Sequence, residues 1–234
     1  MKIIRRILIW CRNIFFSLFI FSIATVLVYK YVPIHYTPLM LIRLFEPDGT
    51  DRIEHQWVSI KQISQPVIQA VVASEDNLFM EHSGFDRSQI NKALEEARKG
   101  RRLRGASTIS QQTAKNVFLW PRRSYFRKGL EAYFTVLIEW IWGKERIMEV
   151  YLNSIEMGAG IYGIEAAAFA YFGKPAEELT RGEGALIAAI LPDPRKRDPA
   201  HPSAYLQGRQ RDILSLMRKI ETVNMGYRPF TKTN

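Results

Sequence analysis

Cysteine is almost missing from this chain of 234 residues. Cys11 stands alone, so no intramolecular disulfide can form and a cysteine-based zinc site has no ligand set. Histidine is scarce as well, and His35, His55, His82 and His201 have no spacing that resembles a zinc motif. There is no Walker loop, no GxGxxG and no nucleophile elbow, so nucleotide binding and serine hydrolysis have little support. No alternating run is long enough to demand a sheet, although 54–60 could form a short strand. Internal repeats and low-complexity linkers are also absent. Acidic residues are missing from the first 32 positions, which hold Lys2, Arg5, Arg6, Arg12 and Lys30. The remaining 28 basic residues face 23 acids, an excess of five. That excess suits an anionic partner such as phosphate, pyrophosphate or a lipid surface. It is weak for a nucleic-acid-binding module, and no nucleic acid is expected as a partner. With 47% hydrophobic residues, the chain can bury a core and is neither disordered nor collagenous.

What is present begins with a long apolar run. Residues 14–29 read IFFSLFIFSIATVLVY without a charge. Lys30 can snorkel, which extends the run to Val32 and a length of roughly 28 Å, about one hydrocarbon core. Four basic residues precede it. The positive-inside rule then places 1–13 in the cytoplasm and everything after Val32 outside. A cleaved signal peptide is the alternative, but no small-x-small site precedes Pro33. The expected organisation is a cytoplasmic N-terminus (1–13), a transmembrane helix (14–32), a connecting segment (33–60), one extracytoplasmic domain (61–225) and a short tail (226–234). A turn is expected at Pro47-Asp48-Gly49.

Helical signals dominate the domain. Ser64 can cap a helix whose face is Val67, Ile68, Val71 and Val72. Asp86 can cap a second with Ile90, Ala93, Leu94 and Ala97, stopped by Gly100. Further helices are expected over 107–118, 124–142, 144–152, 162–172, 181–190 and 203–222. The seventh opens with a capping box, Thr180 and Glu183. The fold class is mainly α.

Three clusters carry chemistry. Residues 75–86 read EDNLFMEHSGFD and follow an apolar helix directly. A carboxylate at the exit of a buried element can be desolvated, which raises its pKa and makes it a better base. Residue types alone favour a solvated helix end and a satisfied loop histidine. Residues 105–116 read GASTISQQTAKN. They place Ser107 near a helix start, where anions bind well, and pair it with Gln111 at i,i+4. Thr108 pairs with Gln112, Gln111 with Lys115, and Gln112 with Asn116. This donor-rich stripe suits sugars and phosphates; a plain surface helix is the alternative. The third cluster is Arg122, Arg123, Arg127, Lys128 and Glu131. It reads either as a cationic pocket with Glu131 holding the cations in register, or as a surface ion pair worth under ~0.5 kcal/mol. The run 98–104, RKGRRLR, is expected to be a solvated or lipid-facing loop.

Residues 75–86 resemble the E-D-x-x-F-x-x-H-x-G-x-D signature of peptidoglycan glycosyltransferases, with every fixed position filled. Residues 105–116 resemble that family's G-x-S-T-x-x-Q-Q-x-x-K-N motif, and Arg127, Lys128 and Glu131 its R-K-x-x-E motif. Lys144, Ile147, Glu149, Tyr151, Leu152 and Asn153 are similar to the fourth motif. Gly160, Gly163, Ala167, Ala168 and 171–174 are similar to the fifth. Ala106 and Met148 depart from the common residues without removing a functional group. The resemblance implies a lysozyme-like, mainly helical domain with a small membrane-apposed lobe. It also implies lipid II and the growing glycan strand as substrates. Bifunctional members carry a penicillin-binding domain. Here no S-x-x-K is found, which points to the monofunctional biosynthetic transglycosylases.

The same resemblance assigns roles. Glu75 is the base that deprotonates the acceptor 4-hydroxyl. Glu131 is the second essential carboxylate, positioning cations and substrate. Lys115, Arg127 and Lys128 bind phosphates, with Arg122 or Arg123 helping. Ser107, Thr108, Gln111, Gln112 and Asn116 hold sugars and phosphates, while Asp76, Phe79 and His82 shape the cleft. No cofactor is required and no metal site is legible, although magnesium or manganese activates some members. Other cell-wall synthesis or division proteins are expected as further partners. The expected location is the bacterial cytoplasmic membrane. A lytic enzyme of the same fold, or a non-catalytic membrane-anchored scaffold, are the rival readings. The first would not need the cations, and the second would not need both carboxylates.

Overall fold

The computed structural model describes residues 2–46, 50–100, 107–122 and 124–225. The expected turn at 47–49, most of the basic run, Arg123 and the tail beyond 225 lie outside them.

The chain forms two compact units, 1–33 and 34–234. The first is a single helix, α1 (Lys2–Tyr29). It starts ahead of the uncharged run, because residues 3–10 are themselves helix formers and no proline or glycine interrupts the chain before Pro33. Ile3–Tyr29 is long and apolar enough to cross a membrane. Trp10, Phe15, Ile20 and Phe21 are all exposed.

The second unit is mainly helical, as the periodicity predicts. In order it contains α2 (Pro38–Leu44), β1 (Glu54–His55), α3 (Gln65–Glu75), α4 (Arg87–Arg98), α5 (Ile109–Phe118), α6 (Tyr125–Ile141), α7 (Lys144–Ser154), β2 (Glu156–Gly158), β3 (Ile161–Tyr162), α8 (Ile164–Phe172), α9 (Arg181–Ile190) and α10 (Ala204–Leu216). One group packs α3 against α9 and α10, and the other packs α5 against α6, α7 and α2. Val67, Ile68, Val71 and Val72 form the buried face of α3, as expected. Helix α9 comes so close to α3 that a Cβ on Gly184 would sit 3.1 Å from Val67 Cα.

Several elements differ from expectation, each for a local reason. A small sheet exists, in the order β1-β3-β2, with β1 parallel and β2 antiparallel to β3. Its strands are two or three residues long, too short for alternation to register. The expected strand over 54–60 is paired only at Glu54 and His55, and Ile60–Gln62 is a 3-10 turn. Helix α8 begins at Ile164 rather than 162, since Ile161 and Tyr162 belong to β3. Ser64 occupies the N-cap of α3 but donates its hydroxyl to the Leu179 carbonyl at 2.6 Å instead of capping. The last helix stops at Leu216, not 222. There the Gln69 side chain takes over the backbone, donating to Glu221 O at 3.0 Å and accepting from Val223 N at 2.8 Å. Helix α4 is capped by Asp86 as expected, yet it leaves Ile90 and Ala97 exposed.

Candidate active site

The site grows from the point where α3 ends. Asp76 leaves the helix and is buried, so its carboxylate needs partners. One oxygen accepts the Ile109 backbone N–H at 3.0 Å, an orphan donor at the start of α5. The other lies 2.8 Å from His82 Nε2. His82 Nδ1 accepts the Gly84 N–H at 3.1 Å, which fixes the tautomer and makes Nε2–H the donor to Asp76. Gly84 has φ +87°, and a Cβ there would meet Thr135 Cγ2 at 2.7 Å, so the turn demands glycine. Its carbonyl accepts the Thr108 hydroxyl at 2.7 Å. Phe79 is fully buried beneath this loop. The Lys144 ammonium lies 4.5 Å from the Phe79 ring centre and bonds to His82 O at 2.5 Å and Glu139 at 2.7 Å. Ser110 also donates to Glu139. Asp76, Phe79, His82 and Thr108 therefore form the frame that joins the first two clusters.

Glu75, one residue earlier, is half-buried and faces α5. Gln112 Nε2 donates to its Oε2 at 2.9 Å, and Tyr151 OH donates to Gln112 Oε1 at 3.3 Å. Burial pushes the Glu75 carboxyl above its ordinary range. The Gln112 hydrogen bond and the charges of Arg209 and Lys115 act downward, and Asp76 acts upward. The result is a carboxylate better suited to accept a proton than a solvated one.

Next to it lies a cavity of about 240 Å³ lined by Ser107, Gln111, Gln112, Lys115, Arg127, Lys128 and Glu131. Glu131 is buried and accepts from Arg127 Nη1 at 3.3 Å and from Lys128 Nζ. Arg127 is buried too, and its Nε has no partner among the described residues. Lys115 pairs with no carboxylate there within 4 Å. Burial lowers its ammonium pKa; Glu131 opposes this, while Arg127 and Lys128 reinforce it. The surface-pair reading of the third cluster therefore fails for Glu131 and Arg127, since an exposed pair would not sit in the interior.

The stripe on α5 is partly consumed locally. Thr108 and Gln111 form a capping box, in which Gln111 Oε1 accepts Thr108 N at 3.0 Å. Ser107 is exposed at the cavity rim, and Asn116 is buried on the far side of Lys115. There a second cavity, of about 340 Å³, shares Gln112 and Lys115 with the first. Arg122 is not with this group. It is exposed and lines a separate hollow with Ile42, Phe45 and Trp120. Sequence reasoning passed over Arg43, Glu156 and Arg195. Glu156 lies in the wall of the second cavity, 3.6 Å from Arg43 Nε and 3.7 Å from Arg195 Nε. A lone acid between Ile155 and Met157 was the available signal. Arg209 reaches Glu75 electrostatically from α10, with no local pattern to announce it.

Neither Asp76 nor Glu131 is free to hold a resident divalent ion. Both Asp76 oxygens are engaged, and Glu131 is held by two cations. No group of three or more His, Cys, Asp or Glu side chains among the described residues could hold a metal.

Comparison with known proteins identifies the family. The family model described as Transglycosylase matches residues 43–218. A biosynthetic peptidoglycan transglycosylase of Bacteroides thetaiotaomicron is 53% identical over 220 residues, covering 93% of this chain and 89% of the relative. One from Caulobacter vibrioides is 51% identical, covering 91% and 92%. One from Shewanella oneidensis is 45% identical, covering 96% and 97%. With the family's model spanning most of the chain and the cation-lined cavity beside Glu75 falling inside the match, this chain belongs to the transglycosylase family.

Proposed function

We propose that this protein is a peptidoglycan glycosyltransferase of cell-wall biosynthesis, which polymerises lipid II into β-1,4-linked glycan and releases undecaprenyl pyrophosphate. One observation carries the reading. A desolvated carboxylate, Glu75, is joined through Gln112 to a cavity bearing Lys115, Arg127 and Lys128. A glycosidase needs a general acid because an alkoxide leaves poorly. A pyrophosphate leaves well once its charge is stabilised, so cations replace the acid and only a base is required. Glu75 takes the proton from the acceptor 4-hydroxyl. That oxygen attacks C1 of the donor, the C1–O bond to the pyrophosphate breaks, and the α-linked donor becomes a β-linked product. Lys115, Arg127 and Lys128 take up the charge of the leaving group. Glu131 holds Arg127 and Lys128 in register, while Ser107, Gln112 and Asn116 face sugars and phosphates. A lytic enzyme would have no use for the cations.

Helix α1 fits a single-pass membrane anchor, by length and apolar surface. Lys2, Arg5, Arg6 and Arg12 support a cytoplasmic N-terminus in the cytoplasmic membrane, with the second unit outside, where the growing glycan strand lies.

The test is polymerisation of labelled lipid II by the purified protein. Polymer is expected from the wild type, whereas cleavage of sacculi without polymer would support the lytic rival. Glu75→Gln keeps size but removes the base, so polymerisation should fall by ~10²–10⁴-fold while lipid II binding largely survives. A folded Glu75→Gln protein that polymerises at the wild-type rate would sink the assignment of the base. Equal loss of binding and rate would make Glu75 an anchor and Glu131 the next candidate.

A further inference from the structure

Gln112 bridges two groups of opposite demand. An ionised carboxylate only accepts, so the amide NH2 must face Glu75, 2.9 Å away. The amide oxygen then faces the Tyr151 hydroxyl at 3.3 Å, and that hydroxyl must donate. Tyr151 lies on α7 and is fully buried. Its hydroxyl has no other hydrogen-bond partner among the described residues. A rotated amide would set its oxygen against the carboxylate and leave the Tyr151 proton without an acceptor.

We propose that Tyr151 is a positioning residue for the base: its hydroxyl locks the Gln112 amide so that an N–H points at the Glu75 carboxylate. This rests on the reading of Glu75 as base. Three elements meet in the relay, α3 through Glu75, α5 through Gln112 and α7 through Tyr151. The fixed donor stabilises the ionised carboxylate, which is the form that accepts a proton. Tyr151 can serve at every working pH, because burial first, and then Glu75 and Asp76, hold its hydroxyl well above the usual tyrosine range. The other charged groups facing Glu75 are Lys115 on α5, Arg209 on α10 and the neighbouring Asp76. None of them hydrogen-bonds to the hydroxyl that the test removes.

The experiment is the pH profile of lipid II polymerisation by the full-length protein in detergent, with kcat and KM separated. Tyr151→Phe keeps the ring and removes only the hydroxyl. Its Gln112 amide is free to turn, so the Glu75 carboxyl rises and the acid limb of kcat/KM moves to higher pH. A shift of about half to one pH unit, hence ~3–10-fold less activity on that limb, is expected, with KM near wild type. Gln112→Met removes both hydrogen bonds and should shift the limb in the same direction. The double variant should shift no further than Gln112→Met alone, because the two residues act through one bond. An unshifted limb in Tyr151→Phe, a uniform loss at every pH, or shifts that add in the double variant would each overturn the proposal. Glu75→Gln runs beside them. If it is inactive while Tyr151→Phe is unshifted, only the relay fails; if it polymerises normally, the reading of the base fails first.

Discussion

Neutralising Glu131 separates what its cluster does for stability from what it does for chemistry. Its side chain is 4% exposed, against 10% for Arg127 and 51% for Lys128. Glu131→Gln leaves the buried Arg127 guanidinium without its counter-charge, and Arg127 Nε already lacks a partner among the described residues. Breaking a buried pair by removing one member costs about 3–5 kcal/mol, whereas an exposed pair contributes about 0–1. Glutamine keeps one acceptor for Arg127, and Lys128 can turn to water, so about 2–4 kcal/mol is expected. For a domain of this size that lowers Tm by roughly 5–15 °C. Circular dichroism melts in detergent would measure it. The informative partner is Arg127→Met combined with Glu131→Leu, which removes both charges and fills the space. That pair should recover most of the lost stability. It should still fail to polymerise lipid II, since a cation that stabilises the leaving group has gone. A Glu131→Gln melt within about 1 °C of wild type would refute the buried counter-charge argument, and polymerisation by the double variant would refute the chemical one.

Further outcomes follow from other parts of the molecule. Lys115 is lowered from the ordinary lysine value of 10.5, so its charge is lost earlier as pH rises, and activity should fall on an alkaline limb below that value. Lys115→Arg should move this limb upward, because a guanidinium stays protonated; a limb that does not move would exclude Lys115 as its source. A reporter active only outside the cytoplasm should work when fused after Asn234, and one fused ahead of Met1 should behave as cytoplasmic. Release of the chain by carbonate washing would count against a spanning helix. A labelled β-lactam should form no stable adduct with the pure protein, since no S-x-x-K occurs in its sequence, and a stable adduct would contradict that.

The mainly helical, lysozyme-like domain was legible where the apolar runs are long and the caps are strong. Helix α9 is such a case, with Thr180 and Glu183 closing a capping box ahead of an apolar run, 184–190, that is buried throughout. Legibility failed where a distant side chain sets the local backbone. Gln69 ends α10 from α3, and Ser64 gives up its cap for a carbonyl on Leu179. Neither partner lies within a window that periodicity can read. The sheet escaped for a different reason. Its strands are too short to alternate, and β1 joins β3 in parallel from more than 100 positions away.

The site divides along the same line. Its residue types could be read from local clusters, because the first two motifs are contiguous and the third is one turn of α6. What each residue does with its neighbours could not. Asp76, Phe79, His82 and Thr108 read as cleft-shaping or substrate-holding, yet each is occupied in tying α3 to the start of α5 or in packing beneath that junction. Their contribution to Glu75 is therefore geometric: they fix where the carboxylate leaves α3. Gln112 and Lys115 follow from that placement, because α5 starts where Asp76 holds Ile109 N. One turn further on Gln112 reaches Glu75, and nearly a turn beyond that Lys115 enters the cavity with Arg127 and Lys128. A substitution at Asp76 should consequently lower the rate by displacing the base and the leaving-group cation together, although neither is altered chemically.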